Sequence, residues 1–186
     1  MSSTAEHPHR RRNLLSGEWL LVSPHRALRP WQGEAAPSLS ERPPSHDQAC
    51  HLCAGNLRAT GEANPAYSGT FVFANDFAAL LPERTAIASA GLFEEAPAAG
   101  EARVICFSPD HGATLARLAP AELAGVIGCW CEQSAELGAQ WTHVQLFENK
   151  GAMMGASSPH PHGQVWASDF VPEAVAAEDR NQRDTH

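Results

Sequence analysis

The chemistry-bearing stretch of the 186-residue chain runs from Ser157 to Trp166 and reads SSPHPHGQVW. Two histidines one residue apart, followed by a glutamine, suit a β-strand with a working face. Side chains alternate along a strand, so His160, His162 and Gln164 are expected on one side, with Pro161, Gly163 and Val165 on the other. A neutral imidazole is a nucleophile or a metal ligand near neutral pH. Gln164 adds an uncharged amide donor on the same side, suited to a phosphoryl oxygen. Gly163 admits close approach to the backbone, and Pro161 predicts an edge strand or a distorted one.

A second cluster stands at Cys50-His51-Leu52-Cys53. Two cysteines at this spacing in a reducing compartment read first as a metal-chelating arm, both sulfurs turned toward one ion across a knuckle, with a redox pair or an incidental one the lesser alternatives. A closed tetrahedral zinc needs two further ligands, and His111 and His160 are the candidates. With four protein ligands such a zinc has no open position for water, so its work is to hold the backbone that presents His162. A zinc-finger spacing is absent, because His111 is far from Cys53 in sequence and has no histidine a few residues on. Cys129 and Cys131 lie two apart on a predicted helix, hence on nearly opposite sides, and read as structural thiols.

The elements that must position these groups are legible as short apolar runs. Residues 17–22, 70–74, 103–107 and 142–149 predict strands, with turns at 108–112 and 150–158. Pro120 opens one long helix, where its missing N–H costs nothing. Leu123, Val126, Ile127, Trp130 and Leu137 fall at helical spacing and are expected on its buried side. Residues 24–48 and 82–101, rich in Pro, Ala and Gly, read as loops. A polar helical stretch follows Pro172 and carries Glu178. Antiparallel strands with hairpin-like connections around one helix make an α+β fold.

A net charge of −8 argues against a nucleic-acid partner, which would call for basic surface. The basic run Arg10-Arg11-Arg12 is short and reads as a solvated arm. No long apolar run predicts a membrane span, and no signal peptide is evident. Five cysteines, an odd count, suit reduced thiols or metal ligands in the cytoplasm.

Taken together, HPHRRRN, SGEWLLVSPHRALRPWQG, CHLCAGN, FANDFAAL, RVICFSPDH, FENKGAMMG and SSPHPHGQVWAS resemble the galactose-1-phosphate uridylyltransferases, a branch of the histidine-triad superfamily. The third triad histidine is replaced by Gln164, as in that branch. The resemblance covers residues 1–171, read as the family's N-terminal domain, with 172–186 a polar helix or tail. It implies a histidine-triad-like antiparallel sheet, a half-barrel, with a zinc knuckle and long loops. It further implies exchange of UMP between UDP-glucose and galactose 1-phosphate through a covalent uridylyl-histidine, within galactose metabolism. His162 would be the nucleophile and Gln164 would bind the phosphoryl oxygen. Cys50, Cys53, His111 and His160 would hold zinc. Asn75 and Asp76 would contact the uridine, with Ala59 near the uracil and Asn149, Gly155 and Ser157 near the phosphates. Arg26 and Arg29 would reach the UDP-sugar across a homodimer interface.

Three departures from the family pattern stand out. Ala156 and Ser158 replace an expected Cys and Asn in the turn before the motif. Ala59 replaces a larger apolar residue. Family members also carry a second, similar half that supplies sugar contacts and the histidine partners of an iron-binding carboxylate at the place of Glu178. The chain alone is therefore expected to turn over poorly and to bind no iron at Glu178. A non-catalytic zinc- and nucleotide-binding remnant is the competing expectation. A hydrolase of the wider superfamily ranks last, since glutamine at 164 disfavours water as acceptor.

Overall fold

The computed structural model of the chain describes residues 7–24, 43–84, 86, 92, 94–156 and 158–185. Its residues fall into two compact units, one of residues 1–39 and 171–186 and the other of residues 40–170.

In the first unit, β1 (His9–Arg12) pairs antiparallel with β2 (Trp19–Val22). The basic run is thus a strand and not a free arm, although its arginines do remain exposed. Antiparallel pairing places Arg12 opposite Trp19, and the Arg10 guanidinium lies 4.8 Å from the Trp19 ring centroid, a cation–π contact that ties the two strands. Gly17 closes the turn at φ +78°, a conformation side chains resist. The helix of this unit (Glu173–Thr185) carries Glu178 on an exposed position.

The second unit holds a four-stranded antiparallel sheet: β3 (Phe71–Ala74), β4 (Gly100–Cys106), β5 (His143–Phe147) and β6 (His162–Ser168), in the spatial order β3-β4-β6-β5. The sheet is open, with no closed barrel among the described residues. β6 is an internal strand with a neighbour on each side, so the expectation of an edge strand is overturned. The reason is local. Pro161 lies just before the strand, where no ladder N–H is required, and its carbonyl accepts from Phe107 N–H at 2.9 Å. β4 also begins earlier than its apolar run, at Gly100, whose bare backbone is needed: a Cβ there would sit 2.0 Å from the Ala167 oxygen.

The long helix α1 (Pro120–Gly138) covers one face of this sheet. Glu122 accepts from the Ala119 N–H at 2.9 Å, satisfying one amide of the helix start. Val126, Cys129 and Leu137 are buried against Ile105, Phe107, Val165 and Ala167. Each large aliphatic side chain so buried contributes about 1.5–3 kcal/mol. Ile127, expected inside, is instead exposed, and Cys129 takes the inward position. Cys131 is exposed while Cys129 is buried, so only one of the two is a core thiol. Among the described residues no helix is long and apolar enough to cross a membrane.

Strand register sets the other face. Phe73, Val104, Gln164 and Phe147 stand side by side across the four strands, and Cys106 pairs with His162 one step along. The alternation expected for His162 and Gln164 against Gly163 and Val165 holds: the first two are half-buried and the latter two buried. His160 and Pro161, however, lie in a bend before the strand and are both buried, so His160 is not on its working face. What approaches Gly163 is the core, since a Cβ there would meet Phe107 Cζ at 2.7 Å and the Phe147 oxygen at 2.9 Å.

Candidate active site and metal centre

Cys50, Cys53, His111 and His160 converge, with their ligand atoms all within 4.8 Å of one another and all four residues buried. Cys53 Sγ lies 3.5 Å from His111 Nδ1 and 3.6 Å from His160 Nδ1. In a zinc tetrahedron with ordinary Zn–S and Zn–N bonds, the sulfur–nitrogen edge is about 3.5 Å. The donor set therefore fits a tetrahedral ion before any ion is placed.

The local sequence explains the geometry. Asn56 donates through Nδ2 to the Asp47 and Cys50 carbonyls at 2.8 and 2.7 Å, and Asn64 does the same to those of His51 and Cys53 at 2.8 and 3.0 Å. Two side-chain amides thus hold the carbonyls of the knuckle while the Leu52 N–H points at Cys50 Sγ, 3.4 Å away. His111 is brought in by its N–H, which donates to the Ser45 carbonyl at 2.8 Å. Gly112 beside it admits no Cβ, because the Pro43 oxygen would be 2.3 Å away.

The tautomer of His160 is set by its neighbours. Its Nε2 lies 3.0 Å from the Ser108 carbonyl and 3.1 Å from the Tyr67 hydroxyl, whose own proton goes to the Leu52 carbonyl at 2.6 Å. A carbonyl only accepts, so Nε2 carries the proton and Nδ1 presents a lone pair to the cluster. Burial above all, then the neighbouring His111, pushes His160 down to about 4, which keeps it neutral as a ligand must be. Burial raises Cys53 to about 11 and Cys106 to about 12. Such thiols stay protonated without a cation beside them, and a divalent ion reverses that preference.

Immediately beyond lies a cleft of about 380 Å³ whose wall includes His162, Gln164, Asn75, Asp76, Ala59 and Ser158. His162 Nδ1–H donates to the His160 carbonyl at 2.8 Å. Its Nε2 is thereby left as the basic nitrogen. Gln164 Oε1 accepts from Asn75 Nδ2 at 3.3 Å and from Trp166 Nε1 at 3.1 Å. Asn149 lines a smaller recess of about 50 Å³ shared with His162 and Ser158. Ser158, at one of the departing positions, accepts the His160 N–H at 3.3 Å. Gly155 is exposed at φ +78° and belongs to neither wall. Arg26, Arg29 and Ser157 lie outside the described residues.

Sequence reasoning missed three contributors. Arg58 is buried in the cleft wall, its guanidinium 4.5 Å from the Phe73 ring centroid and its Nε 3.7 Å from Asp76 Oδ1. An arginine five residues past the second cysteine of the CxxC pair was the available signal. Tyr67, the chain's one tyrosine, orients His160. Trp166 continues the working face of β6.

Comparison with known proteins gives a consistent picture. Residues 1–172 match the family profile described as galactose-1-phosphate uridyl transferase, N-terminal domain. Galactose-1-phosphate uridylyltransferase of Haemophilus influenzae is 56% identical over 181 residues, covering 96% of this chain and 52% of that one. The Rattus norvegicus protein of the same name is 48% identical, covering 98% of this chain and 48% of its own length. The chain spans about half the length of the curated relatives it matches. Among solved structures, an ADP-glucose phosphorylase from Arabidopsis thaliana superposes with a TM-score of 0.71 at 21% identity, over 97% of this chain and 55% of that one. A uridylyltransferase superposes with a TM-score of 0.62 at 24% identity, over 95% and 50%. These likenesses bear on the fold, and the sequence matches on the family: the chain belongs to the galactose-1-phosphate uridyl transferase family, whose N-terminal domain it contains.

Proposed function

We propose that this chain carries the covalent half of a UDP-glucose–hexose-1-phosphate uridylyltransferase. His162 Nε2 attacks the α-phosphorus of UDP-glucose, forming a P–N bond as the bond to the bridging oxygen breaks and glucose 1-phosphate leaves. Galactose 1-phosphate then attacks the same phosphorus, the P–N bond breaks, and UDP-galactose is released. Dividing one displacement between two anions into two in-line steps is what a covalent nucleophile offers. The observation that carries the reading is the 2.8 Å bond from His162 Nδ1–H to the His160 carbonyl, which frees Nε2 as the attacking atom.

The roles of Gln164, Asn75, Asp76 and Ala59 accord with the cleft they line, and the remaining ones are carried by the family resemblance. Gln164 receives a phosphoryl oxygen, Asn75 and Asp76 receive the uridine, and Ala59 lies near the uracil. Asn149, Gly155 and Ser157 serve the phosphates, and Arg26 and Arg29 serve the UDP-sugar across a homodimer. Zinc is the metal we assign to Cys50, Cys53, His111 and His160. When bound it would join the knuckle, the 108–112 turn and the 158–160 bend into one support beneath His162, without an open position for substrate. No iron is assigned to Glu178, since a single exposed carboxylate is a weak ligand set.

The test is isotope exchange. With UDP-glucose present and galactose 1-phosphate absent, labelled glucose 1-phosphate should enter the UDP-glucose pool, because the first half-reaction is reversible on its own. Bound nucleotide without exchange would favour the non-catalytic remnant.

A further inference from the structure

We propose that Trp166 is a positioning residue for phosphoryl transfer, acting by fixing which end of the Gln164 amide faces the cleft. The proposal rests on the transferase reading for its kinetic meaning, while its geometry stands apart from it. A terminal amide turns about a soft, two-fold torsion, so packing alone leaves its two ends interchangeable. The ends are chemically opposite. The NH2 end donates to an anionic phosphoryl oxygen, whereas the carbonyl end repels it.

Two donors break the degeneracy. The Trp166 indole nitrogen, which can only donate, lies 3.1 Å from one end of the Gln164 amide. That end must therefore be oxygen. The Asn75 amide nitrogen meets the same oxygen at 3.3 Å. Asn75 is itself fixed, because its Oδ1 accepts the Phe77 N–H at 2.9 Å. A reversed Gln164 would set its NH2 against two other N–H donors, and so the NH2 end is left for the cleft.

The indole is held for this task. It stands on the cleft face of β6, two residues past Gln164, with its ring edge-on to Phe147 at 5.4 Å between centroids and 85° between planes. Phenylalanine at 166 would keep that aromatic contact and remove only the N–H.

Two readouts test the proposal, made on the full chain with Trp166→Phe, Gln164→Leu and the double variant. The first is kinetic. Trp166→Phe should slow isotope exchange on the order of tenfold, the effect of losing one orienting hydrogen bond, with metal content and melting temperature retained. Added to Gln164→Leu it should cost nothing more, since its action runs through the glutamine. Fully additive losses, or an unchanged rate in the single variant, would overturn the proposal. The second is spectroscopic and needs no turnover. The indole N–H resonance of Trp166 should move upfield and exchange faster in Gln164→Leu. In wild type, UDP should shift the Gln164 side-chain NH2 pair, and that shift should weaken in Trp166→Phe. An indole resonance indifferent to Gln164→Leu would refute the lock. Absence of exchange in wild type with the spectroscopic effects intact would instead count against the transferase reading alone.

Discussion

The imidazole of His162 donates from Nδ1 to the backbone oxygen of His160 at 2.8 Å, and His160 turns its own Nδ1 toward Cys53 Sγ at 3.6 Å. One residue thus supplies a ring to the Cys/His cluster and a carbonyl to the proposed nucleophile. The orientation of the proposed attacking nitrogen is thereby coupled to the integrity of the Cys/His site, two of whose residues, Cys50 and His111, also line the cleft.

Cys53→Ser should lose one equivalent of zinc per chain and several kcal/mol of stability, because a structural metal's binding energy is also folding energy. Metal analysis by plasma emission and thermal melts of both proteins measure this. Equal zinc in variant and wild type would remove Cys53 from the ligand set.

Tyr67→Phe removes a hydroxyl that donates to Leu52 and faces His160 Nε2. Loss of an outer partner of a ligating histidine should weaken metal affinity by about 10–100-fold. The measurement is competition with a chromogenic chelator. Unchanged affinity would mean that the Ser108 carbonyl alone fixes the tautomer.

The knuckle and the working strand were legible because each depends on residue type at fixed spacing. CxxC and HxHxQ need no knowledge of the rest of the chain. The bringing together of His111 with Cys53 was not written in any local pattern; it depends on the Ser45 carbonyl and a glycine at 112. Ile127 left the buried side expected for it because helical spacing leaves the exact angle of the buried stripe open until the sheet beneath is known. Pro161 misled for a similar reason, since one residue of offset separates a disrupted strand from a clean strand start. The partners of Gln164 were unreadable in advance: Asn75 lies on a different part of the chain, and an indole beside it in sequence reads first as core.

In metal-free protein, stability should fall on acidification through the His160 imidazole. Its value drops from 6.5 to about 4 on folding, chiefly through burial. Between those values the unfolded chain binds a proton that the folded chain excludes, so stability is full above pH 6.5 and declines as pH falls. The loss approaches about 3 kcal/mol by pH 4. Urea denaturation of chelator-treated protein at several pH values measures it, and a flat profile between pH 7 and 4.5 would contradict it.

Gly163→Ala should destabilise the chain by about 1–3 kcal/mol, the cost of overpacking a tight interior. Its Cβ would lie 2.7 Å from Phe107 Cζ and 2.9 Å from the Phe147 oxygen. Because His162 and Gln164 flank it, the expected kinetic loss is larger than the stability change alone implies. A melting temperature equal to wild type would show that the sheet yields at this point.

The central claim is that His162 becomes covalently uridylylated, and intact-mass spectrometry after mixing the chain with UDP-glucose tests it most directly. Wild type should gain the mass of one uridylyl group, mapped by acid-labile peptide analysis to residues 160–164. His162→Asn should keep its zinc and gain nothing, while His160→Asn should lose both. An adduct that persists in His162→Asn, or a wild-type chain that binds UDP-glucose with zinc in place and never acquires the added mass, would contradict the account.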